Sequence, residues 1–166
     1  MSKYEIMLTV FSEVSYAKNM EFRVKNKIAS IYCSPIPISR TIEKEKTLFV
    51  LEADNTNNRI RGIGIIKNRA KTRNIYEDEE LQKHNGYVYT GKYHILREEI
   101  QPNSEEDIIF QALDYLCFYG KSHTKRYQGI QRFPQKWIDN LRSHGRDLVD
   151  IIFRMFSKKK MMVSAK

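Results

Sequence analysis

Two short stretches of the chain carry side chains suited to chemistry. The first is Ile31-Tyr32-Cys33-Ser34, which sets an aromatic ring, a thiol and a hydroxyl in consecutive positions. A tyrosine ring can stack on a nucleobase, because stacking needs only a flat π-face. A serine hydroxyl can bond a base edge. From the residues alone, Tyr32 reads more readily as a strand aromatic in the core. Cys33 reads as a small buried side chain, since no neighbour in sequence would generate the thiolate that a nucleophile requires.

The second stretch runs from Phe118 to Ile130 and is basic, aromatic and hydroxyl-bearing between Gly120 and Gly129. Lys121, Lys125 and Arg126, with Arg132 just beyond, are suitable counter-charges for phosphates. His123 has a reference pKa near neutrality, which fits hydrogen bonding or proton transfer. A segment of this length without a hydrophobic period more often has a task than not. The bland alternative is a solvated loop between two helices. A further basic run, Lys67, Arg69, Lys71 and Arg73, could track a phosphate backbone, or be neutralised by the acids Glu77 to Glu80 folding back on it. Arg154, Lys158, Lys159, Lys160 and Lys166 make a third cluster.

The chain's net charge of +9 therefore falls in clusters, and a polyanion is the natural partner. Gly62-x-Gly64 lacks the third glycine and the following helix of a dinucleotide site. His84, His94, His123 and His144 show no metal-ligand spacing with Cys33 and Cys117, so neither a metal nor a cofactor is expected. No apolar run reaches the length of a membrane span. The first residues enter an alternating pattern with no signal peptide, so a cytoplasmic or nuclear, non-secreted protein with two unbridged thiols is expected.

The elements that must position these residues follow from periodicity. Tyr4–Val10 alternates as a half-buried strand, with Ile6, Leu8 and Val10 on one face. Ser12 caps a helix over 12–27 with a weak stripe of Val14, Tyr16, Ala17 and Met20. Residues 29–33 form a short strand, stopped by Pro35 and Pro37. Leu48–Lys67 is a hairpin turning at Asp54-Asn55-Thr56-Asn57-Asn58. Gly86–Leu96 is a strand kinked at Gly91. Helices then follow: one from Ser104 through Phe118, one opened by Pro134, and one carrying Leu148, Ile151, Ile152 and Met155. Strands first and helices later predict an α+β domain over residues 1–157, with a basic disordered tail at 158–166.

Residues 4 to 97 resemble the PUA-like superfamily, in particular its YTH and EVE branches. Tyr4-Glu5-Ile6-Met7-Leu8 looks like the opening strand, and Ile31-Tyr32-Cys33-Ser34 looks like the pocket segment. Phe49-Val50-Leu51 with Ile60-Arg61-Gly62-Ile63-Gly64 is similar to the glycine-bearing hairpin of that superfamily. The resemblance implies a small β-barrel flanked by helices that binds RNA or a modified base, with RNA favoured over DNA. A YTH domain encloses methyl-adenine in a tryptophan-rich cage, whereas Trp137 here lies outside the resemblance and Tyr32 stands at the pocket position.

The leading expectation is a noncatalytic nucleic-acid-binding module. Its base pocket would lie at Tyr32, Cys33 and Ser34, with phosphates held by Lys67, Arg69, Lys121, His123, Lys125, Arg126 and Arg132. One alternative is a nucleic-acid-processing enzyme like the ASCH-type members, using His123, Lys125 and Glu52. Another is a structural component of a large DNA virus particle, suggested by Lys-, Ile- and Asn-rich usage typical of an AT-rich genome.

Overall fold

The computed structural model describes residues 3–73, 86–119 and 127–164. The chain is α+β. Five strands make one sheet in the order β7-β4-β3-β1-β8, and three make a second in the order β2-β6-β5. The strands are β1 (Tyr4–Phe11), β2 (Ser30–Ser34), β3 (Thr47–Asp54), β4 (Arg59–Lys67), β5 (Lys71–Arg73), β6 (Gly86–Gly91), β7 (Tyr93–Leu96) and β8 (Ile130–Arg132). The helices are α1 (Glu13–Asn26), α2 (Glu105–Phe118), α3 (Gln135–Ser143) and α4 (Leu148–Ser164).

The five-stranded sheet is open. It does not close into the expected barrel by itself; two sheets share one continuous stretch of chain, which leaves the small sheet as β6 and enters the large one as β7. Gly91 makes that passage possible. A Cβ there would stand 1.7 Å from the Ile65 carbonyl oxygen, so only glycine lets the strands cross this closely.

β3 and β4 form the expected hairpin, with Glu52 opposite Gly62 and a bulge between Glu52 and Ala53. Asp54 closes its turn, accepting from the Thr56 and Asn57 backbone N–H groups at 2.9 and 3.1 Å. This is the Asx turn that short polar side chains favour. β1 pairs in parallel with β3 and is covered on both faces: Ile6 and Leu8 enter one apolar cluster and Met7 the other. The half-buried strand read from its alternation is thus a central strand, as parallel pairing between covered faces requires.

The larger cluster joins one face of the big sheet to α2, α3 and α4 through Phe49, Leu51, Phe110, Leu113, Leu141 and Ile152. Each such fully buried side chain contributes about 1.5–3 kcal/mol. Ser104 caps α2 through the Asp107 N–H at 3.1 Å. α4 continues through the stretch from 158, where the sequence predicts a disordered tail, to Ser164, and Lys159 bonds Glu99 at 2.7 Å.

α1 departs most from its sequence pattern. Ser12 caps it as expected. However, the face it buries is polar: Tyr16, Asn19 and Arg23, spaced three and four residues apart. Val14 is 50% exposed, so the apolar stripe does not hold this helix. No helix among the described residues is long and apolar enough to cross a membrane.

Candidate functional site

The polar face of α1 exists to meet Glu52. This residue stands in an otherwise apolar strand and is fully buried. Its Oε2 accepts from the Tyr32 hydroxyl at 2.5 Å and from Arg23 Nη2 at 2.6 Å. Its Oε1 accepts from His94 Nε2 at 2.8 Å and from the Tyr16 hydroxyl at 3.1 Å. Four donors on one carboxylate use the acceptor sites it has.

Burial alone would raise the pKa of Glu52. His94 and Arg23 beside it, with hydrogen bonds from His94 and Tyr32, hold it well below the usual carboxylate range. Burial, followed by the Glu52 charge, pushes the hydroxyls of Tyr16 and Tyr32 up, so both remain donors.

Gly62 and Gly64 make room for this cluster. A Cβ on Gly64 would lie 1.8 Å from the Tyr32 hydroxyl, and one on Gly62 would lie 3.0 Å from both Glu52 Oε1 and His94 Cε1. The glycines therefore admit the protein's own side chains, which fill the space they leave.

Tyr32 consequently does not wall an open pocket. It is 1% exposed, its hydroxyl is on Glu52, and the Arg23 guanidinium lies 5.4 Å from its ring centre. Ser34 is buried and donates to the Ile36 carbonyl at 2.5 Å, ordering the proline loop. Cys33 is half-buried on β2, and it is not joined to Cys117 in a disulfide. The expected base pocket at Tyr32, Cys33 and Ser34 is thus filled by the protein itself. Glu52 is wholly engaged by its four donors, which leaves it no free oxygen for the proton transfer expected of it beside His123 and Lys125.

Two of the expected phosphate-binding groups are also committed elsewhere. Arg69 forms a double hydrogen bond with Glu45, at 2.7 and 2.5 Å. Arg132 bonds Glu5 at 3.2 Å and Thr41 at 2.7 Å. Lys121, His123, Lys125 and Arg126 lie outside the described residues, as do the acids Glu77 to Glu80.

Lys67 is different, because it lines an open groove of about 990 Å³. This groove lies between α4 and the corner where β6 becomes β7. Five lysines border it: Lys27, Lys67, Lys71, Lys92 and Lys160. All five are exposed, and among the described residues no carboxylate lines the groove. Among the described residues none of the five is in an ion pair. Some cations elsewhere on the surface are paired, as Lys46 and Arg132 are with Glu5, and Lys159 with Glu99.

The groove also has aromatic walls. Tyr4 stacks on Phe49 with ring centres 5.0 Å apart, and Phe49 stacks on Phe156 at 5.7 Å. Phe153 stands at the end of this row, 5.4 Å from Tyr4, and is 42% exposed. Tyr93 also lines the groove, two residues after Gly91.

Lys27 reaches the groove because it caps α1 in the left-handed conformation, at φ 54°. Lys92 reaches it because the strand bends there. Sequence reasoning missed Lys27, Lys92, Tyr93 and Phe153. The one visible signal is Gly91-Lys92-Tyr93, a cation and an aromatic following the glycine kink.

Comparison with protein-family models, curated proteins and solved structures finds no match to this chain.

Proposed function

We propose that the chain is a noncatalytic nucleic-acid-binding module, RNA favoured, and that the groove between α4 and the β6–β7 corner is its binding surface. The observation that carries this reading is the set of five exposed lysines around aromatic walls, with no carboxylate among the described residues that line them. Like charges held close together in one concavity repel one another; a chain of phosphates relieves that repulsion, and its own condensed counterions are released as the lysines neutralise it. Phe153, the exposed ring of the groove, supplies a face for a base.

The PUA-like reading is supported by the order of elements over residues 4–97: strand, helix, short strand, glycine-bearing hairpin. It is also supported by the turn of one chain stretch from sheet to sheet at Gly91, the kind of corner that small barrels use. In this reading the ligand surface moves from Tyr32 to the groove.

The test is fluorescence anisotropy with labelled RNA and DNA oligonucleotides over a range of salt concentrations. The double substitution Lys67→Glu with Lys92→Glu is expected to weaken binding. It should also flatten the logarithmic salt dependence on a single strand by about 0.7 for each phosphate that is no longer neutralised. A folded double variant with unchanged affinity and slope rejects the groove as the interface.

A further inference from the structure

We infer that the nucleic acid this groove accepts is single-stranded RNA, held with a base against Phe153 and its phosphates on the lysines that border the groove. The inference rests on the nucleic-acid reading above and narrows it.

The shape of the site comes first. The lysines come to one concavity from separate elements, Lys160 from α4, Lys27 from the end of α1 and Lys92 from the bend after β6. A duplex carries its charge on the outside of a broad cylinder with its base edges sunk in grooves, and a protein reads it with a protruding helix or ribbon. A recess of about 990 Å³ offers no protruding element to insert into the groove of a duplex. A single strand can lie within it and meet these lysines.

Phe153 is the second observation. It is 42% exposed although Phe156, three residues further along α4 and also lining the groove, is buried. Tyr4 supports the Phe153 ring at 5.4 Å with the planes inclined at 49°. Phe153 is therefore a braced ring with a free side, set among cations. A polyanion without bases would use the lysines and leave this ring idle. A strand with splayed bases uses both. Thr90 and Ser157 add hydroxyls to the same walls, and these are partners for the ribose 2′-hydroxyl by which a site separates RNA from DNA.

The experiment compares four probes by anisotropy: a labelled uridine oligomer, a thymidine oligomer of equal length, a blunt RNA duplex and a heparin fragment. The uridine oligomer is expected to bind at least about tenfold tighter than the duplex, and tighter than the thymidine strand. Phe153→Ala is expected to weaken uridine binding about tenfold while leaving heparin binding unchanged, and Phe153→Tyr to retain it. Circular dichroism confirms that both variants are folded.

Equal binding of the duplex, equal binding of the thymidine strand, or a Phe153→Ala variant with unaltered RNA affinity overturns the inference and leaves the nucleic-acid reading standing. Absence of saturable binding to every nucleic acid, or binding indifferent to Lys67→Glu with Lys92→Glu, overturns both.

Discussion

Arg23 on α1 and Glu52 on β3 form an ion pair of 2.6 Å in which the two side chains are 3% and 0% exposed. Removing one partner of a buried pair leaves an uncompensated charge, which costs about 3–5 kcal/mol. Glu52→Gln is therefore expected to lower the free energy of unfolding by about that amount. Urea denaturation followed by circular dichroism measures it, and a change within about 0.5 kcal/mol, as at an ordinary surface site, would show that the carboxylate does not hold α1 to the sheets.

The same group sets a pH dependence. The folded-state pKa of Glu52 is depressed well below its unfolded value of about 4.3. Its contribution is therefore complete above that unfolded value and is lost as pH falls from there toward the folded pKa. Wild-type stability should decline through the acid range more steeply than that of Glu52→Gln. Parallel slopes for the two proteins in urea titrations at several pH values would contradict this.

Gly64→Ala places a methyl group against the Tyr32 hydroxyl, where a Cβ has only 1.8 Å. Overpacking of this kind costs typically about 1–3 kcal/mol. Adding Tyr32→Phe removes the atom nearest the new methyl but also one donor to Glu52, so the double variant should lose less than the sum of the two single losses. A thermal-denaturation double-mutant cycle reads the coupling. Strict additivity would mean that Gly64 is needed for some other reason.

Arg69→Gln and Arg132→Gln are expected to leave RNA affinity nearly unchanged. Their guanidinium groups are already engaged by Glu45 and Glu5. Lys67→Gln, at the end of β4 close to Arg69 in sequence, is expected to weaken binding. If all three substitutions weaken binding equally, general positive charge rather than the groove would govern association.

The residues that are legible in the sequence are those governed by local rules. Ser12 and Ser104 declare helix starts because a hydroxyl before a first turn bonds its free N–H groups. Asp54 and the asparagines after it declare the hairpin, and Gly91 declares the kink. The side of the strand that faces a partner is a tertiary matter. Tyr32 reads as open because its neighbours in sequence are small or polar, yet the atoms that cover it come from β3 and α1. β8 escapes notice because three residues are too few to show a period.

Glu52 does leave a trace. It is an acid in an apolar run directly across from Gly62, on a hairpin whose other glycine, Gly64, lies across from His94. A charge on an inward face opposite missing side chains implies buried polar partners. The groove has no such trace, because its lysines come from a helix end, a strand end, an edge strand, a bend and a distant helix, which only the folded chain brings together.

The pairing of Thr9 with Ile130 also has a temporal consequence. β1 leaves the ribosome long before β8 can satisfy its outer edge, and α4 must emerge later still to cover the aromatic row. A nascent chain halted after β7 would expose the amide edge of β1 and the Phe49 face together. That intermediate is a template for strand addition by other chains until β8 and α4 emerge to cover it.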